Sequence, residues 1–268
     1  MPVPLAIAIV VGTIVLGSGL FILFARRSPE GGREDRTPTN VYAVTAGAMS
    51  LLIAFTMSLT FDNFSDAQRA THQEAGQLLA MSRAATFMPA PTRDALRDQL
   101  VCYIDAVAQD EWPSMRRGSS TAVPSVLDIV SKMDAILAQN PTLAGPGVSL
   151  WENANTDRSD ARIERLLLAK SFVPPLLWVL LILGSIITIG SLFVVADRSK
   201  PGWGHALVIV GPLFIASTAL VVIAFFSHPY EATPGGVSPE PLLFAKNVIT
   251  TEHMGDVPVA RCGQQGAS

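Results

Sequence analysis

Charge is what this sequence has least of. Only 15% of its 268 residues are Asp, Glu, Lys or Arg, against 49% hydrophobic, and the mean hydropathy is +0.39. Soluble domains carry about 25% charged residues, so this is the composition of a membrane protein. The deficit is local: Pro4 to Ala25, Val41 to Phe61, Val173 to Ala196 and Ala206 to Ser227 contain no Asp, Glu, Lys, Arg or His. Each has the roughly 20 apolar residues a helix needs to cross hydrocarbon, and four transmembrane helices are expected. Proton relays, voltage sensors and charge-coupled transporters place ionisable groups inside the membrane, and these spans exclude them. A passive pore lined by hydroxyls, amides and apolar constrictions is allowed, as is a plain anchor.

Enzyme signatures are missing too. The four histidines, His72, His205, His228 and His253, are scattered, and His72-Gln73-Glu74 has no Pro-Cys-x-x-Cys partner. Cys102 and Cys262 cannot build a zinc site alone; they pair only if the tail folds back onto the helical region. There is no phosphate-cradling Gly motif and no nucleophile elbow. A net charge of −3 without a basic stripe excludes nucleic acid as a partner. Neither catalysis, a cofactor nor a metal is expected.

What is present organises the chain. The first span reads as a membrane helix rather than a cleaved leader. No charge precedes it, its apolar run is long, and Arg26-Arg27 stands where small residues would mark cleavage. Four Arg follow between Arg26 and Asn40, and Arg198 and Lys200 lie in the connector from Asp197 to Gly204. The positive-inside rule places both connectors in the cytoplasm and the region between the second and third spans outside. Arg69, Arg162, Arg165 and Lys170 flank the other side, so the margin is narrow.

That middle region reads as helix. Phe64, Ala67, Thr71, Ala75, Leu78 and Ala85 recur at helical spacing, and Pro89 and Pro91 end the run. Thr92 is the expected N-cap of a second helix with the stripe Leu96, Leu100, Tyr103 and Val107. Val126, Ile129, Val130, Met133 and Leu137 mark a third, between Pro124 and Pro141. Thr142 to Asn155, rich in Gly, Asn and Pro, reads as a loop. A fourth helix from about Thr156 is expected to carry Ile163, Leu166 and Leu167. No breaker interrupts Val41 to Phe87, so the second span and first soluble helix are expected to form one rod of about 70 Å. Pro174-Pro175 makes the entry to the third span bend or restart. Small residues let helix backbones approach: Gly12, Gly17 and Gly19 in the first span, and Gly184, Thr188 and Ser191 in the third. Gly211-Pro212 is expected to kink the fourth.

One face of the second span gathers Thr45, Met49, Leu52, Thr56, Leu59, Thr60 and Asn63, and continues to Glu74. Polar ends around bulky apolar residues suit a pore that gates by dewetting. The plainer reading is that the hydroxyls bond to the carbonyl one turn back.

Four blocks carry a family resemblance: NVYAVTAGAMSLLIAFTMSLTFDNFSDAQRATHQEAGQLL, LRDQLVCYIDAVAQDEWPSM, PPLLWVLLILGS and HPYEATPGGVSPEPL. Their most specific parts are Glu111-Trp112-Pro113 and Ser238-Pro239-Glu240-Pro241. In this order the blocks resemble the bestrophin-like family of bacterial membrane proteins, named for its similarity to bestrophin anion channels. The resemblance implies a multi-pass protein of the bacterial inner membrane. It also implies a homo-oligomer, as a pentamer, that passes anions. No acidic cluster resembles the calcium clasp of animal bestrophins. Bestrophins hold the equivalent helical region in the cytosol, opposite to the side the charge count gives.

The expected fold is all-α and polytopic. Residues 1–60 hold two spans, 61–172 a helical region formed partly by extensions of the second and third membrane helices, 173–227 two further spans, and 228–268 a Pro/Gly-rich tail. Within the tail, Leu242 to Val248 is expected to dock as a short helix. For Glu111-Trp112-Pro113, followed by Arg116-Arg117, the expected role is to end a helix and pin a corner with the indole; an anion site at the arginines is the other reading. Two functions stay open: an oligomeric ion channel in the lipid bilayer with a hydrophobic gate, and a membrane-anchored sensor or scaffold whose helical region binds a partner.

Overall fold

The computed structural model describes residues 3–27, 36–139, 145–195, 203–253 and 262. Among these, all regular structure is helical: α1 (Val3–Arg27), α2 (Arg36–Ala85), α3 (Ala90–Ala106), a π segment (Val107–Glu111), α4 (Trp112–Arg116), α5 (Pro124–Ala138), α6 (Pro146–Leu167), α7 (Pro175–Val195), α8 (Trp203–Phe226) and α9 (Glu240–His253). Most of the expected basic connectors, at 28–35 and 196–202, and most of the tail beyond 253 lie outside the described residues.

The chain divides into two units. The first comprises residues 1–64, 171–228 and 232–234; the second comprises 65–170, 229–231 and 235–268. Helix α2 contributes to both as a single element of 50 residues, about 75 Å of helix at 1.5 Å per residue. The absence of an interior Pro or Gly-Pro break explains this continuity.

In the first unit α8 packs against both α1 and α7. Small residues allow close approach. A Cβ on Gly17 would stand 2.8 Å from Leu213 Cδ1, and one on Gly184 would stand 2.6 Å from Met49 Sδ. Gly12 and Gly19 face open space instead, while Thr188 and Ser191 donate to carbonyls of their own helix. Met49, Val173, Leu181 and Ile223 form the buried core, with Leu52, Leu177, Trp178 and Leu220 around them. Phe61, Phe64, Phe225 and Phe226 close one end with ring centroids 5.3 to 5.6 Å apart. Pro212 lies inside α8, which runs on through it. Helices α2 and α7 contain windows long and apolar enough to cross a membrane, and Ile7–Gly19 and Val210–Phe226 are shorter apolar helices.

In the second unit the expected α2 stripe from Ala67 to Ala85 is buried, as is the α3 stripe Leu96, Leu100, Tyr103 and Val107. Helix α3 packs against α5 and α9. Four expectations are corrected. Thr92 is not an N-cap: α3 begins two residues earlier, capped by Pro89 with Pro91 in its first turn, where proline's missing N–H costs nothing. The expected loop from Thr142 to Asn155 is mostly helix, because α6 starts at Pro146 by the same N-terminal proline effect. Residues 140–144 are outside the described residues. Ile163 and Leu167 point outward, and only Leu166 of the expected trio is buried. Finally, the third span has no helical extension: α6 stops at Leu167 and α7 restarts at Pro175, the break that Pro174-Pro175 imposes.

Candidate functional site

The inner face of α6 is built from arginine. Arg158, Arg162 and Arg165 follow Trp151 and Ala154 at helical spacing, and all five are buried. A buried guanidinium needs acceptors on every side, and three elements supply them. Glu74 comes from α2, Tyr103 from α3 and Glu111 from the π segment. Arg165 donates from Nε to Glu74 Oε2 at 2.6 Å and from Nη2 to Glu111 Oε1 at 2.7 Å. Arg162 grips Glu111 with two nitrogens. Tyr103 donates to Glu74 Oε1 at 2.6 Å and accepts from Arg158 Nη1 at 2.9 Å. Arg158 is completed by Asn155 Oδ1 and lies over the Tyr103 ring. Three guanidinia thus face two carboxylates, with the tyrosine hydroxyl relaying between the odd arginine and Glu74.

The Glu-Trp-Pro motif explains how Glu111 reaches this cluster. Pro113 has no N–H for the carbonyl of Gln109, and its ring crowds that carbonyl in α geometry. The chain widens into a π turn, in which the Trp112 N–H donates to Val107 O, five residues back. Such single-turn π segments concentrate at functional positions. The wide turn brings the Glu111 carboxylate in beside Arg162 and Arg165. Trp112 packs edge-on against Tyr230 at 5.4 Å and beneath Arg165, and Tyr230 donates to Ala67 O. The expected helix end at Pro113 does not occur: the helix runs on to Arg116. Arg116 and Arg117 are exposed.

Burial sets the electrostatics. It pushes the Glu111 carboxyl up, but the Arg162 hydrogen bond and the charges of Arg165 and Arg162 outweigh it and hold it below its usual value. Burial opposes the charge on Arg165, and Glu74 more than restores it, so that guanidinium is held above its usual value. The Tyr103 hydroxyl is raised by burial first and by the Glu74 charge second. Each carboxylate oxygen of Glu74 and Glu111 accepts at least one hydrogen bond within the cluster. No group of three or more His, Cys, Asp or Glu disposed to hold a metal ion occurs among the described residues.

The candidate pore residues share the inward face of α2. Met49, Thr56, Thr60 and Asn63 are buried, and Thr45, Leu52 and Leu59 are partly so. Met49 and Leu52 belong to the core with α7 and α8. The hydroxyls of Thr45, Thr56 and Thr60 all donate to carbonyls three or four residues back. Asn63 Nδ2 has no protein partner. Glu74 extends the same face into the ionic cluster. The opposite face of α2 is uncovered: Gly47, Ser50, Leu51, Ala54, Phe55, Ser58 and Asp62 are exposed. On the described parts of α1, α7 and α8 within the charge-free stretches of the sequence, every exposed side chain is apolar.

Ser238 to Pro241 enter α9, and Ser238, Glu240 and Pro241 line a groove of about 640 Å³ with Gln68, His72, Gly76 and Phe244. The cysteines do pair: Cys102 of α3 and Cys262 form a disulfide, with Cα atoms 5.4 Å apart.

Among the described residues all regular structure is helical, and two helices are long and apolar enough to cross a membrane. The Bestrophin-like domain matches residues 11–242. The chain belongs to the bestrophin-like family. No curated protein and no solved structure matches it.

Proposed function

We propose that the protein is an oligomeric ion channel of the inner membrane of a bacterial cell, with four spans and no enzymatic activity. The observation that carries this is the uncovered face of α2. Within the spans, exposed hydroxyls occur among the described residues only there, at Ser50 and Ser58, in a row with Ala54 and Asp62. A helix face turned to lipid alone has no use for that row, and the other helices present none. Copies of α2 around an axis would line a path with Gly47, Ser50, Ala54 and Ser58. Leu51 and Phe55 would form the hydrophobic constriction. The inward set from Thr45 to Asn63 then packs the protomer and does not meet the ions. Anions are the permeant class that the family suggests, with the Asp62 carboxylates at one end of the row opposing their entry, and a pentamer is its suggested assembly.

The helical unit faces away from the cytoplasm in this reading. The arginines after the first span support it, and so does the disulfide, since such bonds persist in oxidising compartments. The second reading, an anchored scaffold, is favoured by the groove between α2 and the start of α9. Native mass spectrometry with planar-bilayer recording separates the two. A ring of four or more chains passing current supports the channel, and a silent monomer leaves the scaffold.

A further inference from the structure

Two open surfaces of the helical unit carry opposite patterns. On the outer face of α6, Ile163 and Leu167 are 53% and 66% exposed, one helical turn apart. Asp160 precedes them and Lys170 follows, both exposed. The second surface is the groove lined by Gly76 and Leu79 of α2 and by Glu240 and Phe244 of α9. Arg83, also exposed, stands one turn beyond Leu79. Among the described residues, Asp160, Lys170, Arg83 and Glu240 have no ion-pair partner. Gly76 is the odd residue of the groove. Glycine weakens a helix interior relative to alanine, yet a Cβ here would meet nothing within 4 Å. Packing inside the protomer gives no reason for it, whereas room for an incoming side chain does.

The directions of the helices put the two patterns in register. Helix α6 is antiparallel to α2, since Gly147 packs on Ala84 and Arg165 meets Glu74. Helix α3 is antiparallel to α2 through Arg97 on Ser82 and Tyr103 on Glu74. Helix α9 is antiparallel to α3, because Lys246 meets Asp105 and the Glu252 charge acts on Arg97. It is therefore parallel to α2. In the direction of α2, the groove presents Glu240, then Phe244, Gly76 and Leu79, then Arg83. In the same direction, the outer face of α6 presents Lys170, then Leu167 and Ile163, then Asp160. The orders are negative, apolar, positive against positive, apolar, negative. The Arg165–Glu74 contact also brings Ile163 and Leu167 level with the stretch from His72 to Gly76. Glu74 and Gly76 lie about 160° apart around α2 at 3.6 residues per turn, so α6 and the groove occupy opposite sides of it.

We propose that the groove is the seat of a second copy of this chain. Ile163 and Leu167 of one protomer enter the groove of the next over Gly76, with Lys170 against Glu240 and Asp160 toward Arg83. Two different surfaces that meet in this way make a heterologous contact, which closes into a ring when its rotation closes. Rotation about an axis along α2 preserves both level and direction, so each groove receives the next α6 in matching order. The inference rests on the oligomeric reading above and names the surfaces that build the ring.

Crosslinking of the full chain in detergent, beside native mass spectrometry, tests it. The native cysteines are joined to each other, so a short bis-maleimide reacts at introduced thiols alone. Gly76→Cys combined with Ile163→Cys is expected to give a ladder of covalent oligomers, because within one chain the two sites lie on opposite sides of α2. Each single variant should give no crosslink. Gly76→Trp fills the groove from an open position. It is expected to lower the assembled fraction about 10- to 100-fold, with helical content by circular dichroism unchanged. Oligomers without the ladder, or assembly indifferent to Gly76→Trp, would overturn the inference and leave the ring standing. Dimers from either single variant would mean a like-to-like contact and overturn it too. A wild-type chain that is monomeric would remove the ring and this contact together.

Discussion

Arg165 and Glu74 stand 91 positions apart and meet at 2.6 Å with neither side chain exposed. Removing one partner of such a pair leaves the other charged and buried without compensation. Arg165→Ala is therefore expected to destabilise the helical unit by about 3–5 kcal/mol, measured by denaturant unfolding in detergent. Arg165→Lys should recover little, because a point charge cannot serve Glu74 and Glu111 together. Glu74→Gln combined with Arg165→Met is expected to cost less than the two single changes added, since no orphan charge remains.

The same cluster sets a pH dependence. The Glu111 carboxyl is held below its ordinary 4.5, so the folded state binds fewer protons there than the unfolded chain. Its contribution is present above 4.5 and is lost as pH falls through the folded value. Tyr103 is raised from its ordinary 10.0, so its contribution is present below 10 and is lost as pH rises beyond it. Thermal melts are expected to plateau between about pH 5 and 9 and to fall on both sides. Glu111→Gln should lower the plateau and flatten the acid limb, and an unchanged acid limb would remove Glu111 as its source.

How much of this was legible depends on which side chains carry the helical period. Along α2 the period is apolar, and Phe64, Ala67, Thr71, Ala75 and Leu78 gave the buried face correctly. Along α6 the period is carried by charge. Arg158, Arg162 and Arg165 recur at one-turn spacing, whereas Ile163 and Leu167 are apolar and exposed. A reading that equates inside with apolar must invert that helix. The available signal was Glu74, a carboxylate on the same face as Thr71 and Leu78, which requires buried cations opposite it. The Glu-Trp-Pro motif was visible, but its effect, a π turn rather than a helix end, depends on register and not on composition. In the span, the hydroxyls marked a face of α2 without saying what it meets. The core of Met49, Leu181 and Ile223 decides that, and those contacts join residues distant in sequence.

Pro113 offers a test of the π turn. Pro113→Ala restores an N–H and permits α geometry through Gln109, which withdraws Glu111 from Arg162. The helical unit is expected to lose about 1–3 kcal/mol, the cost of a disturbed buried charge-assisted hydrogen bond. The fluorescence of Trp112 should shift to the red as its contact with Tyr230 loosens. An unshifted spectrum with unchanged stability would mean that the wide turn has another cause.

The orientation of the helical unit is open to labelling. Ser120 lies in the connection between α4 and α5, after the exposed Arg116 and Arg117. In intact cells, Ser120→Cys is expected to react with a membrane-impermeant maleimide. Reaction only after the membrane is breached would place the unit in the cytosol and reverse the assignment.

The conduction reading turns on which face of α2 meets the ions. Phe55 and Leu59 are one helical turn apart, but Phe55 is exposed and Leu59 is turned inward. If the exposed face lines the path, Phe55→Ser wets the constriction and raises basal current severalfold in reconstituted bilayers. Leu59→Ser should then leave conductance nearly unchanged and instead loosen the packing of the protomer, lowering its melting temperature. Ions on the inward face would give the opposite pairing of effects. Asp62 provides the charge test at one end of the row. Copies of it around an axis make a negative ring that disfavours anions, so Asp62→Asn is expected to shift the reversal potential in a salt gradient toward anion permeation. Currents insensitive to Phe55, Leu59 and Asp62 alike would take α2 out of the conducting path.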